Sequence, residues 1–273
     1  MSDFEFLRNI NIGQYLPTGS AIHRLDARAR IIIFSLLILA LTFSPRLPGV
    51  LIGLAVALLG LVIARIPLRY TLRSLSAPLP FLLILALLQV LLTHDPQNDV
   101  VFWQYWLIRI TPAGLLSGLM LILRFIALIL ALNLASFTLS SSDLIQGLNS
   151  LFRPFARLGL PVQDLIMMMQ VALRFLPLLA LTAERTAKAQ ASRGADWDTS
   201  KGGLFKSVRR VVPLILPLFL ASLQKAENMS QAMDSRAYGV AKIRSAMKEM
   251  KFKWVDGLVA IAILAICAVI IFV

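Results

Sequence analysis

Residues 47–64, 74–93, 110–139 and 257–273 form four apolar stretches that share a single charge, Arg124. Crossing the hydrocarbon of a bilayer takes about 20 mostly apolar residues, so each stretch reads as a membrane span. A fifth, residues 31–44, is shorter, but Arg30 and Arg46 bracket it and their long stems can snorkel to extend it. Pro45 and Arg46 form a short turn that makes the first two spans a hairpin, and Pro78 and Pro80 stand near the start of the third. Composition agrees with this reading. Of the 273 residues 58% are hydrophobic, against about 45–50% in soluble domains, and mean hydropathy is +0.80. Residues 1–11 carry Asp3 and Glu5 and lack an apolar core, so no cleavable signal peptide is expected.

The net charge of +13 does not gather in a folded basic domain with stacking aromatics, which argues against a nucleic-acid partner. It lies between the apolar runs, where basic residues record orientation. One side receives Arg24, Arg28 and Arg30, then Arg65, Arg69 and Arg73, then the seventeen Lys and Arg of residues 140–254. The other receives Arg46 and Arg109, beside Asp95 and Asp99. The expected topology places the N-terminus in the cytoplasm and the C-terminus outside.

Residues 140–254 divide into three helices. Ser140, Ser141, Ser142 and Asp143 supply N-cap residues, and Gly159-Leu160-Pro161 is a stop followed by a start. The helices expected are 143–157, 161–193 ending at Gly194, and, after a polar loop at 195–203, 204–238 ending at Gly239. The second and third are each about 50 Å long at 1.5 Å per residue. Both are apolar in their first halves and polar in their second, and Pro213 and Pro217 are expected kinks in the third. An apolar run of thirteen residues in the third is short for a span, and Arg174 would sit near the middle of the second, at about 2.5–3.5 kcal/mol. Helices packed under and partly into the membrane interface fit better than two further spans. The organisation expected is 1–139 for the N-terminal segment and four spans, 140–254 for the cytoplasmic segment, and 255–273 for the last span.

Three stretches together resemble a known family. One is Gly13-Gln14-Tyr15-Leu16-Pro17 followed by Ser20-Ala21-Ile22-His23-Arg24-Leu25-Asp26-Ala27-Arg28. Another is Ala172-Leu173-Arg174-Phe175-Leu176-Pro177, with Glu184 and Ala189-Gln190-Ala191-Ser192-Arg193-Gly194. The third runs from Ala226-Glu227-Asn228 to Asp234-Ser235-Arg236-Ala237-Tyr238-Gly239. From about residue 12 onward the chain resembles the transmembrane T component of energy-coupling factor (ECF) transporters, prokaryotic importers of vitamins and metal ions. The resemblance implies four spans, three coupling helices and a fifth span. It implies as partners two ABC ATPase subunits and one small substrate-binding membrane subunit, with ATP and magnesium acting in the ATPases and no cofactor here. It also implies that Ser192-Arg193-Gly194 and Ser235-Arg236-Ala237 are X-Arg-X motifs, each arginine entering a groove on one ATPase. The family's first triplet more often begins with Ala, and its second often has Gly where Ala237 stands.

Each of these residues also has a plainer reading. Arg193 and Arg236, in the last turn of a helix, would offset the negative end of its dipole for about 0.3–1 kcal/mol. That explains less well why both are flanked by small residues, which let a partner approach a planar fork of five donors. Met167, Met168 and Met169, with Leu216 and Phe219, are candidate contacts for the substrate-binding subunit, since methionine adapts to several partners; the methionines also read as packing filler. Arg124 is a functional candidate because it lies within a span, or else an interior arginine near the cytoplasmic face or a structural pair inside the bundle. His23 and His94 have no neighbouring ligand, Cys267 reads as a small apolar residue, and no metal site is expected. The chain lacks G-x-x-x-x-G-K-[ST], H-E-x-x-H and G-x-S-x-G, so a non-catalytic subunit is expected. An ordinary permease is the alternative, but it needs polar residues between spans, and the first three spans have almost none.

The charge asymmetry makes a direct prediction. Reporter fusions at Asn98, Asp198 and Val273 read outside, inside and outside; a periplasmic signal at Asp198 contradicts the cytoplasmic placement of the long helices.

Overall fold

In the computed structural model the described residues are 15–93, 103–105, 108–154, 159, 161–194, 204–239 and 252–273. Outside them lie residues 1–11, Gly13, Gln14, His94, Asp95, Asp99, Arg157, Leu160 and the loop 195–203. The described residues are all-α apart from one short hairpin, β1 (Trp103–Tyr105) and β2 (Ile108–Ile110), paired antiparallel. The helices are α1 (Ala27–Phe43), α2 (Leu47–Ile63), α3 (Leu68–Ser76), α4 (Leu79–Leu92), α5 (Pro112–Thr138), α6 (Ser141–Phe152), α7 (Val162–Ser192), α8 (Leu204–Asp234) and α9 (Trp254–Phe272). They fall into two compact units, one holding α1–α6 and α9, the other α7 and α8.

In the first unit α5 is the central helix, packing on α1, α2, α3 and α4, while α9 packs on α1 and α2. Small residues permit this closeness, as is usual where dispersion and not water exclusion drives helix association. Ala57, Ala127 and Ala131 are fully buried. A Cβ on Gly49 would collide with the Ile270 carbonyl, and one on Gly118 would come within 2.5 Å of Val90. Outward-facing Phe43, Leu59, Val62, Leu87, Leu115 and Ile261 are exposed, as expected of lipid-facing positions.

By length and composition α5, α7 and α9 can each cross a membrane, and α2 is a shorter apolar helix. The expected third span is not one straight helix. It divides into α3 and α4, bent by 57°, with Pro78 and Pro80 at the break where a proline removes a backbone donor and clashes with the preceding turn. For α7, length and composition permit a crossing, with Arg174 in its apolar half as the charge against it. Residues 141–152, grouped by sequence with the polar segment, pack as α6 on α1, where Gly147 sits against Ala27 and Ile31.

One charged residue, Arg30, serves differently from the sequence expectation, and Arg124 takes one of the roles expected of it. Arg30 does not snorkel, because α1 begins at Ala27 and carries it inside. It is buried, donating to the Thr138 carbonyl at 2.5 Å and to Asp143 Oδ2 at 3.3 Å. Arg124 donates through its guanidinium to the Ser44 carbonyl at the end of α1, beside the α1–α2 turn, a structural pairing inside the bundle. Asp256 at the start of α9 is buried and accepts the backbone N–H of Lys253 (2.8 Å) and of Asp26 (3.2 Å), tying the last helix to the first. Asp26 in turn caps α1 by accepting from the Arg28 amide at 3.0 Å.

Removing one partner of a buried ion pair leaves the other desolvated and alone, typically at about 3–5 kcal/mol. Arg30→Ala is therefore expected to lower the stability of the detergent-purified chain by that order, and Arg46→Ala, at an exposed site, by about 0.5 kcal/mol or less. Unfolding followed by circular dichroism measures both; equal small effects would restore the snorkelling role of Arg30.

Candidate docking site at two helix tips

α7 and α8 pack on each other, and each is 31 residues long. The start of α7 follows from its sequence: Gly159 is left-handed at φ +86°, Pro161 is the N-cap, and Asp164 places a carboxylate in the first turn. Pro177 lies within the helix. The polar half is stiffened from within, with Thr182 and Thr186 bonding back to the Leu178 and Thr182 carbonyls and Glu184 pairing with Lys188 one turn on.

The two arginine triplets end their helices in the same way. At the tip of α7 the Ser192 hydroxyl donates to the Ala189 carbonyl (2.9 Å), the Arg193 amide to Gln190 (3.1 Å) and the Gly194 amide to Ala191 (3.0 Å). At the tip of α8 the Ser235 hydroxyl donates to Ala232 (3.0 Å), the Arg236 amide to Met233 (3.1 Å) and the Ala237 amide to Asp234 (2.9 Å). The third residue is left-handed in both, at φ +85° for Gly194 and +54° for Ala237. Neither arginine is inside the last turn, as the sequence suggested, and α8 stops at Asp234, not Tyr238. The left-handed residue reverses the chain there and brings the Tyr238 amide onto the Met233 carbonyl (3.0 Å).

Among the described residues no hydrogen bond or ion pair engages the guanidinium of Arg193 or Arg236. Backbone amides and the serine hydroxyl already occupy the carbonyls of the final turn. All six residues, Ser192, Arg193, Gly194, Ser235, Arg236 and Ala237, are exposed. The sequence marked the arginines and their small neighbours, but not the positive φ of Ala237, since alanine is seldom left-handed. The Gly-Ala correspondence between the two triplets was the available signal.

The apolar halves of the same helices are open. Met168, Met169, Leu216 and Phe219 are exposed and Met167 is half-buried, so the candidate contact residues are accessible. His23 has a structural role: its ring nitrogens meet the Ser20 hydroxyl (2.8 Å) and the Leu16 carbonyl (3.0 Å), with Tyr15 edge-on. Cys267 is buried in the core with Leu37, Leu41 and Ala131. Among the described residues no cluster of His, Cys, Asp or Glu could hold a metal ion.

A bundle of apolar helices, with two long helices whose tips each expose an arginine, defines a multi-pass membrane protein. Residues 18–248 match the model of the CbiQ family, described as cobalt transport protein. The chain is 37% identical over 262 residues to the energy-coupling factor transporter transmembrane protein EcfT of Acidaminococcus fermentans, covering 95% of both chains. It is 34% identical to that of Thermosediminibacter oceani, covering 95% of this chain and 97% of the relative. Against that of Bacillus subtilis it is 30% identical over 263 residues, covering 96% and 97%. The chain belongs to this family of energy-coupling factor transmembrane proteins.

The shared cap geometry predicts opposite responses to single substitutions. Placing a Cβ at a left-handed residue costs about 1–2 kcal/mol, so Ala237→Gly is expected to slow amide hydrogen exchange at the end of α8 several-fold. Gly194→Ala is expected to speed it at the end of α7. Changes of the same sign would show that the two tips are not equivalent.

Proposed function

We propose that this chain is the non-catalytic scaffold of an energy-coupling factor importer. In this reading it couples ATP-driven closure of two cytoplasmic ATPase subunits to movement of a small substrate-binding membrane subunit, for uptake of a vitamin or metal ion. ATP and magnesium act in the ATPases, and this chain holds no cofactor. The N-terminus lies in the cytoplasm and the C-terminus outside. The observation that carries the reading is the pair of exposed arginines, each followed by a left-handed small residue, at the ends of two 31-residue helices. Each guanidinium is exposed, and its fork suits the carboxylates and helix-end carbonyls of a groove. The exposed apolar halves, with Met168, Met169, Leu216 and Phe219, would bear on the substrate-binding subunit. A two-state motion requires a partner that binds the two states differently, and ATP in the ATPases supplies that difference.

Losing a desolvated, hydrogen-bonded charge from an interface typically costs about 2–5 kcal/mol. A single Arg193→Ala or Arg236→Ala change is expected to weaken assembly and slow uptake. The double change is expected to abolish ATPase co-purification with membrane insertion unchanged. Lysine rescues only in part, because an ammonium lacks the planar fork. If the arginines serve only the helix dipole, lysine substitutes almost fully and alanine costs less than about 1 kcal/mol. Pull-down and substrate uptake at matched membrane expression separate these cases, and a double alanine variant that assembles and transports normally removes the coupling role. Stoichiometric vitamin binding by the isolated chain would favour the permease reading instead.

A further inference from the structure

Arg24, Arg65 and Lys253 line one cavity of about 660 Å³ in the unit built from α1–α6 and α9. It lies where the C-terminal end of α2 and the start of α9 meet the segment preceding α1, a segment held down by Leu16 N–H on the Phe137 carbonyl (3.0 Å) and Thr18 Oγ1 on the Ala64 carbonyl (2.7 Å). All three cations are exposed, and among the described residues no carboxylate pairs with any of them. The acid in the wall, Asp256, is buried and already engaged by two backbone amides. Three cations and one buried carboxylate line the hollow, which leaves its lining net positive.

Arg65 is placed there against backbone preference. The Ile66 amide bonds to the Leu61 carbonyl (3.2 Å) and the Arg65 amide to Val62 (3.0 Å), so Arg65 holds the left-handed position closing α2, at φ +54°. Glycine is the usual occupant of that position, and a side chain there costs on the order of tenfold in the local equilibrium. The cavity mouth is apolar: Val62 and Ile63 are 70% and 53% exposed. Beside it Trp254 is 89% exposed, a residue type that settles at the headgroup level of a bilayer.

We propose that this cavity binds the phosphodiester of an anionic phospholipid, the phosphate between Arg24, Arg65 and Lys253 and the acyl chains along Val62, Ile63 and Val255. Inorganic phosphate shares the charge chemistry but gains nothing from the apolar mouth. The segment 15–26, which carries the opening motif, forms one wall and so gains a role in seating the protein in its membrane.

The test uses the full-length chain, delipidated in dodecyl maltoside and titrated with dioleoyl phosphatidylglycerol, dioleoyl phosphatidylcholine or inorganic phosphate. Native mass spectrometry reads retained lipid and thermal unfolding reads protection. Phosphatidylglycerol is expected to bind at least about tenfold tighter than phosphatidylcholine, with about fivefold lost per cation removed, and phosphate is expected to protect no more than chloride. Arg65→Gly removes a cation while relieving the left-handed strain. Lipid-free stability should then hold or rise as phosphatidylglycerol affinity falls, an outcome a purely structural role for Arg65 does not give. Adding Arg24→Gln and Lys253→Gln should erase the preference. Equal binding of the two lipids, protection by phosphate equal to that by phosphatidylglycerol, or a triple variant that keeps the preference would each overturn the proposal.

Discussion

A helix end within a bilayer leaves its last carbonyls, or its first amides, with no water to satisfy them. Among the described residues, buried Arg30 and Asp256 and half-buried Arg124 and Asp26 meet that need, each at the end its sign suits. Arg124 reaches the Ser44 carbonyl at the end of α1, and Arg30 reaches the Thr138 carbonyl at the end of α5. Asp26 accepts an amide at the start of α1, and Asp256 accepts amides at the starts of α1 and α9. Close packing through Gly49, Gly118 and the buried alanines depends on helix ends fixed in this way.

The tips of α7 and α8 satisfy their final carbonyls without side-chain charge. A left-handed Gly194 or Ala237 and a back-bonded serine occupy the final carbonyls with the chain's own donors. An arginine at such a tip has no cap to make. The same residue type thus has two fates: drawn into the structure at Arg30 and Arg124, and left outward at Arg193 and Arg236. That contrast is the physical basis for assigning the second pair to a partner. Ala237 accepts backbone strain and still leaves the guanidinium exposed.

Much of this was legible in the chain. Apolar runs with at most one charge set α2, α5 and α9 to within a few residues, and Gly159, Gly194 and Gly239 marked turns that the structure makes with positive φ. The arginine triplets were visible because small residues flank both. What stayed hidden depended on tertiary partners or rare backbone states. Arg30 reads as a flanking cation until Asp143 and Thr138, more than a hundred positions away, are brought beside it. Arg124 needs the α1–α2 turn. The α3–α4 bend was hinted at by Pro78 and Pro80, but its angle depends on how α4 packs against α5. The early stop of α8 follows from a left-handed alanine, which propensity does not anticipate.

If α7 and α8 transmit nucleotide-driven motion through arginines held at their tips, the separation of those tips must depend on nucleotide in the assembled transporter. Spin labels at Ser192 and Ser235, in a Cys267→Ala background, report it by electron–electron double resonance in the complex with its ATPases. The expected result is a distance distribution that shifts between the nucleotide-free and ATP-bound states and loses that dependence when Arg193 and Arg236 are both alanine. One unchanged distribution in both nucleotide states of the intact complex would contradict the coupling role of these helices.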